Sequence, residues 1–137
     1  MGAKGVQIGT RFVCAEECTA HENYKRAIIQ AKDRDTVVCG RSTGHPVRAI
    51  KNKLTREFER LEKRGAPPEE LDKLGTGKLR AAVRDGDVEW GSVMAGQCAG
   101  LVSKIQPAAE IIMELTAEAE KIMLDIEGVV ESGVAIG

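Results

Sequence analysis

Gly5-Val-Gln-Ile-Gly-Thr-Arg-Phe-Val-Cys14 is the stretch on which the fold turns. Val6 and Ile8 make a short apolar run closed by Gly9, which predicts a strand over Gly5–Gly9 ending in glycine. Thr10 to Cys14 is expected to continue extended or to turn into a loop. The run is more apolar than a half-exposed strand needs and reads as a buried parallel one. Such a strand needs a neighbour on each side to pair its N–H and C=O groups. No strand is expected before it, and the next, Thr36-Val-Val-Cys39, lies far downstream. The chain therefore reads as the back end of a larger α/β protein, or as a body that docks on other protein.

Working outward, most of the chain is helical. Tyr24, Ala27, Ile28 and Ala31 recur at three- and four-residue steps and predict an amphipathic helix over about Glu22–Lys32. Gly40 to Pro46 is a loop by composition. Ile50, Leu54, Phe58 and Leu61 fall on one face of a further helix, which stops at Gly65. Pro67-Pro-Glu-Glu opens a short helix, and Leu79 to Arg84 forms another. The stretch from Ser92 to Val102 is dense in small residues. Ala95, Gly96, Ala99 and Gly100 would let a helix lie very close to another backbone or a flat ligand. Pro107 starts a long helix whose stripe of Ile111, Ile112, Leu115, Ala119, Ile122, Met123 and Ile126 is expected to be core. The tail from Gly128 to Gly137 reads as frayed.

Composition narrows the function. The 137 residues carry 20 Lys+Arg against 21 Asp+Glu, a formal net charge of −1, which lacks the positive excess of a nucleic-acid or membrane-surface binder. Aromatics make up 3%, too few for stacking single-stranded bases. No apolar run approaches the roughly 18 residues of a membrane span, and no secretion signal opens the chain. The four cysteines fit reduced thiols in a cytosolic protein. Cys14, Cys18 and His21 could supply three zinc ligands if their segment were helical, but the spacing matches known sites poorly, and no metal is expected.

Three loops have the composition of a phosphate holder. Gly75-Thr-Gly-Lys78 lacks the earlier glycine and the following Ser/Thr of a P-loop, since Asp72 and Leu79 stand in those places. Gly40-Arg-Ser-Thr-Gly44 could hold an anion but fits a solvated turn better. His45, before Pro46, has no nucleophile in a recognisable context and fits a structural role. Gln7-Ile-Gly-Thr10 is the sharper candidate: glycine at a strand's end lets phosphate reach the backbone, and the N–H groups of Gly9 and Thr10, with the Thr10 hydroxyl, would donate to it. In a (β/α)8 barrel, phosphates bind in the loops after the last strands.

Four segments in this order carry a resemblance. They are Gly5-Val-Gln-Ile-Gly-Thr-Arg-Phe-Val13; His21-Glu-Asn-Tyr-Lys25; Gly44-His-Pro-Val-Arg-Ala-Ile-Lys-Asn-Lys-Leu-Thr-Arg56; and Gly86-Asp-Val-Glu-Trp-Gly-Ser-Val-Met-Ala-Gly-Gln-Cys-Ala-Gly-Leu-Val102. Over about residues 2–127 the chain resembles the C-terminal part of the FMN-dependent enoyl-[acyl-carrier-protein] reductases, which share one flavin TIM-barrel family with the nitronate monooxygenases (2-nitropropane dioxygenases). Gly44-His-Pro-Val-Arg48 and Ser92-Val-Met-Ala-Gly-Gln97 look more like the reductase branch.

The resemblance implies an α/β fold: a C-terminal fragment of an FMN-binding TIM barrel, its last strand and phosphate loop in residues 1–20. Residues 21–127 would then be a mostly helical cap with one short strand, and 128–137 a flexible tail. Gln7, Ile8, Gly9 and Thr10 would bind the FMN phosphate, and Gly91 to Gly100, with Met94 and Gln97, would pack near flavin and substrate. The implied chemistry is hydride transfer from NAD(P)H through FMN to an enoyl thioester in fatty acid biosynthesis. The substrate would be a small acyl molecule or one carried on acyl-carrier protein. A barrel alone takes about 250 residues, so the chain is expected to be a fragment, inactive without its N-terminal half. No catalytic residue is carried onto it, and a homodimer of the full-length protein is compatible. The expected compartment is the cytoplasm. The rival readings are a nitronate monooxygenase fragment and a free-standing helical interaction module.

Overall fold

The computed structural model describes residue 2 and residues 4–131, with side chains described as far as residue 126. Eight elements follow one another: α1 (Gly9–Val13), α2 (Glu22–Gln30), β1 (Thr36–Cys39), β2 (Val47–Ile50), α3 (Lys53–Lys63), α4 (Pro68–Gly75), α5 (Lys78–Asp85) and α6 (Ala108–Glu131). Short 3-10 turns lie at Arg41–Thr43 and Gln97–Leu101.

Local chemistry explains most boundaries. His21 caps α2, its Nδ1 accepting from the Asn23 N–H at 3.1 Å, and α2 buries Tyr24, Lys25 and Ile28. Asn52 and Thr55 form a reciprocal capping box that starts α3. The Asn52 amide also donates to the Val88 and Gly91 carbonyls at 2.8 Å each, so one side chain starts a helix and fixes a distant loop. Gly86, at φ +71°, ends α5 in the left-handed region.

The core joins α2 to the small-residue stretch, with Tyr24, Ile28, Ala82, Val93, Ala95, Ala99 and Val102 in one cluster. That stretch is a loop and a 3-10 turn rather than a longer helix. Its small residues serve the predicted close approach: a Cβ on Gly100 would stand 2.9 Å from the Asp33 nitrogen. β1 pairs antiparallel with β2, Thr36 opposite Ile50 and Cys39 opposite Val47.

The chain enters this body and leaves it at one point. Ala15 and Gln106 form a parallel bridge, the Glu16 N–H donates to the Gln106 carbonyl at 3.1 Å, and the Glu17 carboxylate accepts from the Ala108 N–H at 2.9 Å, at the start of α6. Residues 16–106 are thus a closed excursion, and α6 departs beside α1.

Lys4–Ile8 holds no regular structure where a strand was expected, and Val6 is 84% exposed. A strand exists through its partners, and among the described residues none pairs with it. Thr10–Val13, expected to be extended or a loop, belongs to α1. Ile50, placed on a helix face, belongs to β2, so residues 21–127 hold two strands where one was expected. On α6, Ile111 is 1% exposed, but Ile112, Met113, Ile122, Met123, Leu124 and Ile126 all face solvent, Met123 at 62%. Periodicity reveals an apolar face and not what covers it. Of the expected tail, α6 carries through Glu131, and 132–137 lie outside the described residues.

Candidate functional site

Gln7, Ile8, Gly9 and Thr10 come together along one wall of a cavity of about 680 Å³. Arg11 continues that wall, Gly96, Cys98 and Leu101 to Lys104 form the second, and Ile111, Glu114, Leu115 and Glu118 of α6 the third. The walls are tied together. Thr10 Oγ1 accepts from the Gly96 N–H at 2.9 Å, and the Arg11 guanidinium donates to the Lys104 carbonyl at 3.1 Å.

Charge is unevenly spread around the cavity. The Lys104 ammonium pairs with the Glu114 carboxylate at 2.5 Å. That bond is the main cause that holds the Glu114 carboxyl below its ordinary range. Gln106 is buried with neither amide atom hydrogen-bonded. Lys104 is therefore spent on Glu114, while Arg11, beside the Gln7–Thr10 wall, makes none of the described ion pairs and donates to the Lys104 carbonyl.

This wall fits a phosphate by its donor set. No side chain caps the first turn of α1, so its leading N–H groups stay free. A Cβ placed on Gly9 would meet nothing within 4 Å, so the backbone there is open to a ligand. Thr10 uses an oxygen lone pair on Gly96 and retains its hydroxyl proton to donate.

The other candidates disperse. His45 is exposed and sits at the rim of a second, smaller cavity. Gly40 and Gly44 bracket a 3-10 turn, both in the left-handed region, and Gly77 of Gly75-Thr-Gly-Lys78 precedes α5. All four cysteines are free thiols. Burial pushes Cys14 up and Cys39 to about 11, so neither is a thiolate at neutral pH. Among the described residues, no group of three or more His, Cys, Asp or Glu could hold a metal ion. Of the small-residue stretch, Gly96 reaches the Thr10 cavity, while Met94 lines the smaller one. Cys98 falls within the Gly91–Gly100 stretch expected near the flavin, whereas Lys104, and any role for the Arg11 charge, were not foreseen, because nothing in their spacing marks them. Only the fold brings positions 11 and 104 together. No helix among the described residues is long and apolar enough to cross a membrane.

The family model described as nitronate monooxygenase matches residues 1–118. A Staphylococcus saprophyticus protein named "Probable nitronate monooxygenase" is 34% identical over 124 residues, 90% of this chain and 34% of that protein. FabK from Thermotoga maritima superposes with a TM-score of 0.87 at 39% identity, over 93% of this chain and 40% of that one. A nitroalkane oxidase from Streptomyces ansochromogenes gives a TM-score of 0.68 at 28% identity, over 90% of this chain and 35% of that one. The chain thus spans about a third of the length of the curated relatives it matches. With 118 of its residues under one family model and its fold shared with these enzymes, the chain belongs to the nitronate monooxygenase family of flavin-dependent oxidoreductases.

Proposed function

We propose that this chain is the phosphate-anchoring and cap-bearing end of an FMN-dependent enoyl-[acyl-carrier-protein] reductase, inactive without an N-terminal barrel portion. The observation that carries the choice is the superposition on FabK, at 39% identity, against 28% for the nitroalkane oxidase. The wall of Gln7, Ile8, Gly9 and Thr10 would hold the FMN phosphate through its free N–H groups and the Thr10 hydroxyl, with Arg11 supplying positive charge. FMN, when bound, would take a hydride from NAD(P)H and pass it to the β-carbon of an enoyl thioester. The chain's own residues bind and orient. Thr10 ties anchor to cap through Gly96, and the excursion 16–106 would cover the mouth of the barrel.

The exposed face of α6 supports incompleteness. Ile122, Met123, Leu124 and Ile126 present contiguous apolar surface that a self-sufficient body would bury, and α6 runs from the same point at which the chain leaves α1. The upstream barrel portion is the cover proposed for it.

The second reading, a nitronate monooxygenase, is favoured by the names of the curated relatives. A chimera joining this chain to the upstream part of T. maritima FabK separates the two. The reductase reading expects NAD(P)H oxidation driven by crotonyl thioester. Nitronate-dependent oxygen uptake without thioester turnover would assign the chain to the other branch.

A further inference from the structure

The peptide unit between Met94 and Ala95 is gripped on both sides. Its N–H donates to the Arg48 carbonyl of β2 at 3.2 Å, and its carbonyl accepts from the Tyr24 hydroxyl of α2 at 2.8 Å. Met94 bridges Ala49 antiparallel, and the bonds of that bridge flank it: Ile50 N–H to the Val93 carbonyl and Ala95 N–H to Arg48. The Met94 carbonyl therefore faces away from β2, and among the described residues the Tyr24 hydroxyl is the donor that satisfies it.

Tyr24 is built to keep that bond. The residue is 3% exposed, and its ring packs in one cluster with Ala95 and Ala99. Burial pushes its phenol up to about 12, so the proton it donates is present throughout the neutral range. α2 is itself tied down, by the His21 N–H to the Val83 carbonyl at 2.8 Å and the Asn23 amide to the Gly86 carbonyl at 3.1 Å. Because a peptide unit is planar, a grip on its N–H and its carbonyl fixes its orientation. Only the two backbone dihedrals of Ala95, a buried residue, separate this unit from the next, which carries the Gly96 N–H to Thr10 Oγ1.

We propose that Tyr24 is a positioning residue for the phosphate wall: through the Met94 carbonyl it holds the Gly96 N–H on Thr10 Oγ1 and so aims the Thr10 hydroxyl at the cofactor phosphate. A hydroxyl that accepts one hydrogen bond is also polarised into a better donor of its own. Tyr24 lines neither cavity, so its influence on a ligand there runs through Thr10. The effect on FMN rests on Gln7–Thr10 being the phosphate anchor; the hold on Thr10 does not.

The test is a double-mutant cycle in the chimera with the upstream part of T. maritima FabK. Tyr24→Phe, which keeps the ring and removes the hydroxyl, is combined with Thr10→Val. Thr55→Ala, which weakens the α3 cap and leaves every bond of the Met94–Gly96 strap in place, controls for a general loss of stability. Two quantities are read: the FMN dissociation constant by fluorescence quenching, and hydrogen exchange of the Gly96 amide by NMR without FMN. Tyr24→Phe should speed Gly96 exchange about tenfold and weaken FMN binding about threefold to tenfold. In the Thr10→Val background it should weaken FMN binding no further, and Thr55→Ala should move neither quantity. Additive losses of affinity, unchanged Gly96 exchange, or an equal loss of affinity in Thr55→Ala would each overturn the proposal. Faster Gly96 exchange with FMN binding indifferent to Thr10→Val would sink the anchor reading and leave the hold on Thr10 standing. A loss in Thr10→Val with Tyr24→Phe silent in both readouts would sink this inference alone.

Discussion

The Gly96 N–H donates to Thr10 Oγ1 at 2.9 Å across 86 residues of sequence. One hydroxyl therefore joins the candidate phosphate wall to the cap, with its proton left over. Thr10→Val removes the hydroxyl while keeping the shape. In the completed protein FMN affinity, read by flavin fluorescence quenching, should fall about tenfold or more, as expected for a lost hydrogen bond to a charged group. Thr10→Ser should stay within about threefold of the original.

The pinch at Ala15 and Gln106 is held from beneath by a buried cation. Lys25 is 5% exposed, and its ammonium donates to the Ala15 carbonyl at 2.7 Å and, at 3.4 Å, to that of Glu16. Lys25→Met keeps the stem and removes these donors, so the completed protein should lose about 2 kcal/mol in urea unfolding. Hydrogen exchange should accelerate first at the Glu16 amide, which crosses the pinch.

Acid should loosen the same point. Glu17 accepts from the Ala108 N–H, and hydrogen bonds from its own backbone N–H and that of Ala108 hold its carboxyl below the ordinary 4.5. A folded-state value below the unfolded one gives stability that is fully present above about 4.5 and fades as pH falls through the folded value. Glu17→Gln should therefore flatten the acid limb of a melting-temperature profile taken down to about pH 3. An unchanged profile would show that the carboxylate contributes nothing there.

Much of this was legible beforehand, and the misses have physical causes. α2, α4, α5 and α6 announce themselves through periodicity, proline starts and glycine stops, because those signals are local. β2 was misread because Ile50 fits the helix face of Leu54 and Phe58. The corrective signal was present: Asn52, with Thr55 three residues on, forms the capping box that starts α3 at Lys53. Gly5–Gly9 has strand composition but no ladder among the described residues, since pairing needs neighbours that composition cannot supply. The candidate site divides in the same way. Gln7 to Thr10 were readable as glycine-and-hydroxyl chemistry, whereas Arg11, Gly96 and Lys104 join them only through the closure at Ala15 and Gln106.

Close packing makes Gly91 intolerant. A Cβ there would lie 2.1 Å from the Asp87 carbonyl oxygen and 2.7 Å from the Ala82 nitrogen, both backbone atoms. Gly91→Ala should cost about 3 kcal/mol of stability. Gly44→Asn is the contrast: φ is +79° but nothing stands within 4 Å of the added Cβ, and asparagine enters that region at under about 1 kcal/mol. Thermal melts of the two variants should separate clearly.

On the proposed function, this chain and an upstream portion together form one flavin barrel. Mixing the 137-residue chain with the separately expressed upstream portion of T. maritima FabK, and following FMN fluorescence during a thermal melt, tests it directly. Neither part should bind FMN alone, and the mixture should bind one FMN per pair and melt cooperatively. Replacing Ile122 and Met123 with glutamate should abolish the association. A chain that is monodisperse and melts cooperatively by itself, indifferent both to FMN and to the added portion, would contradict it.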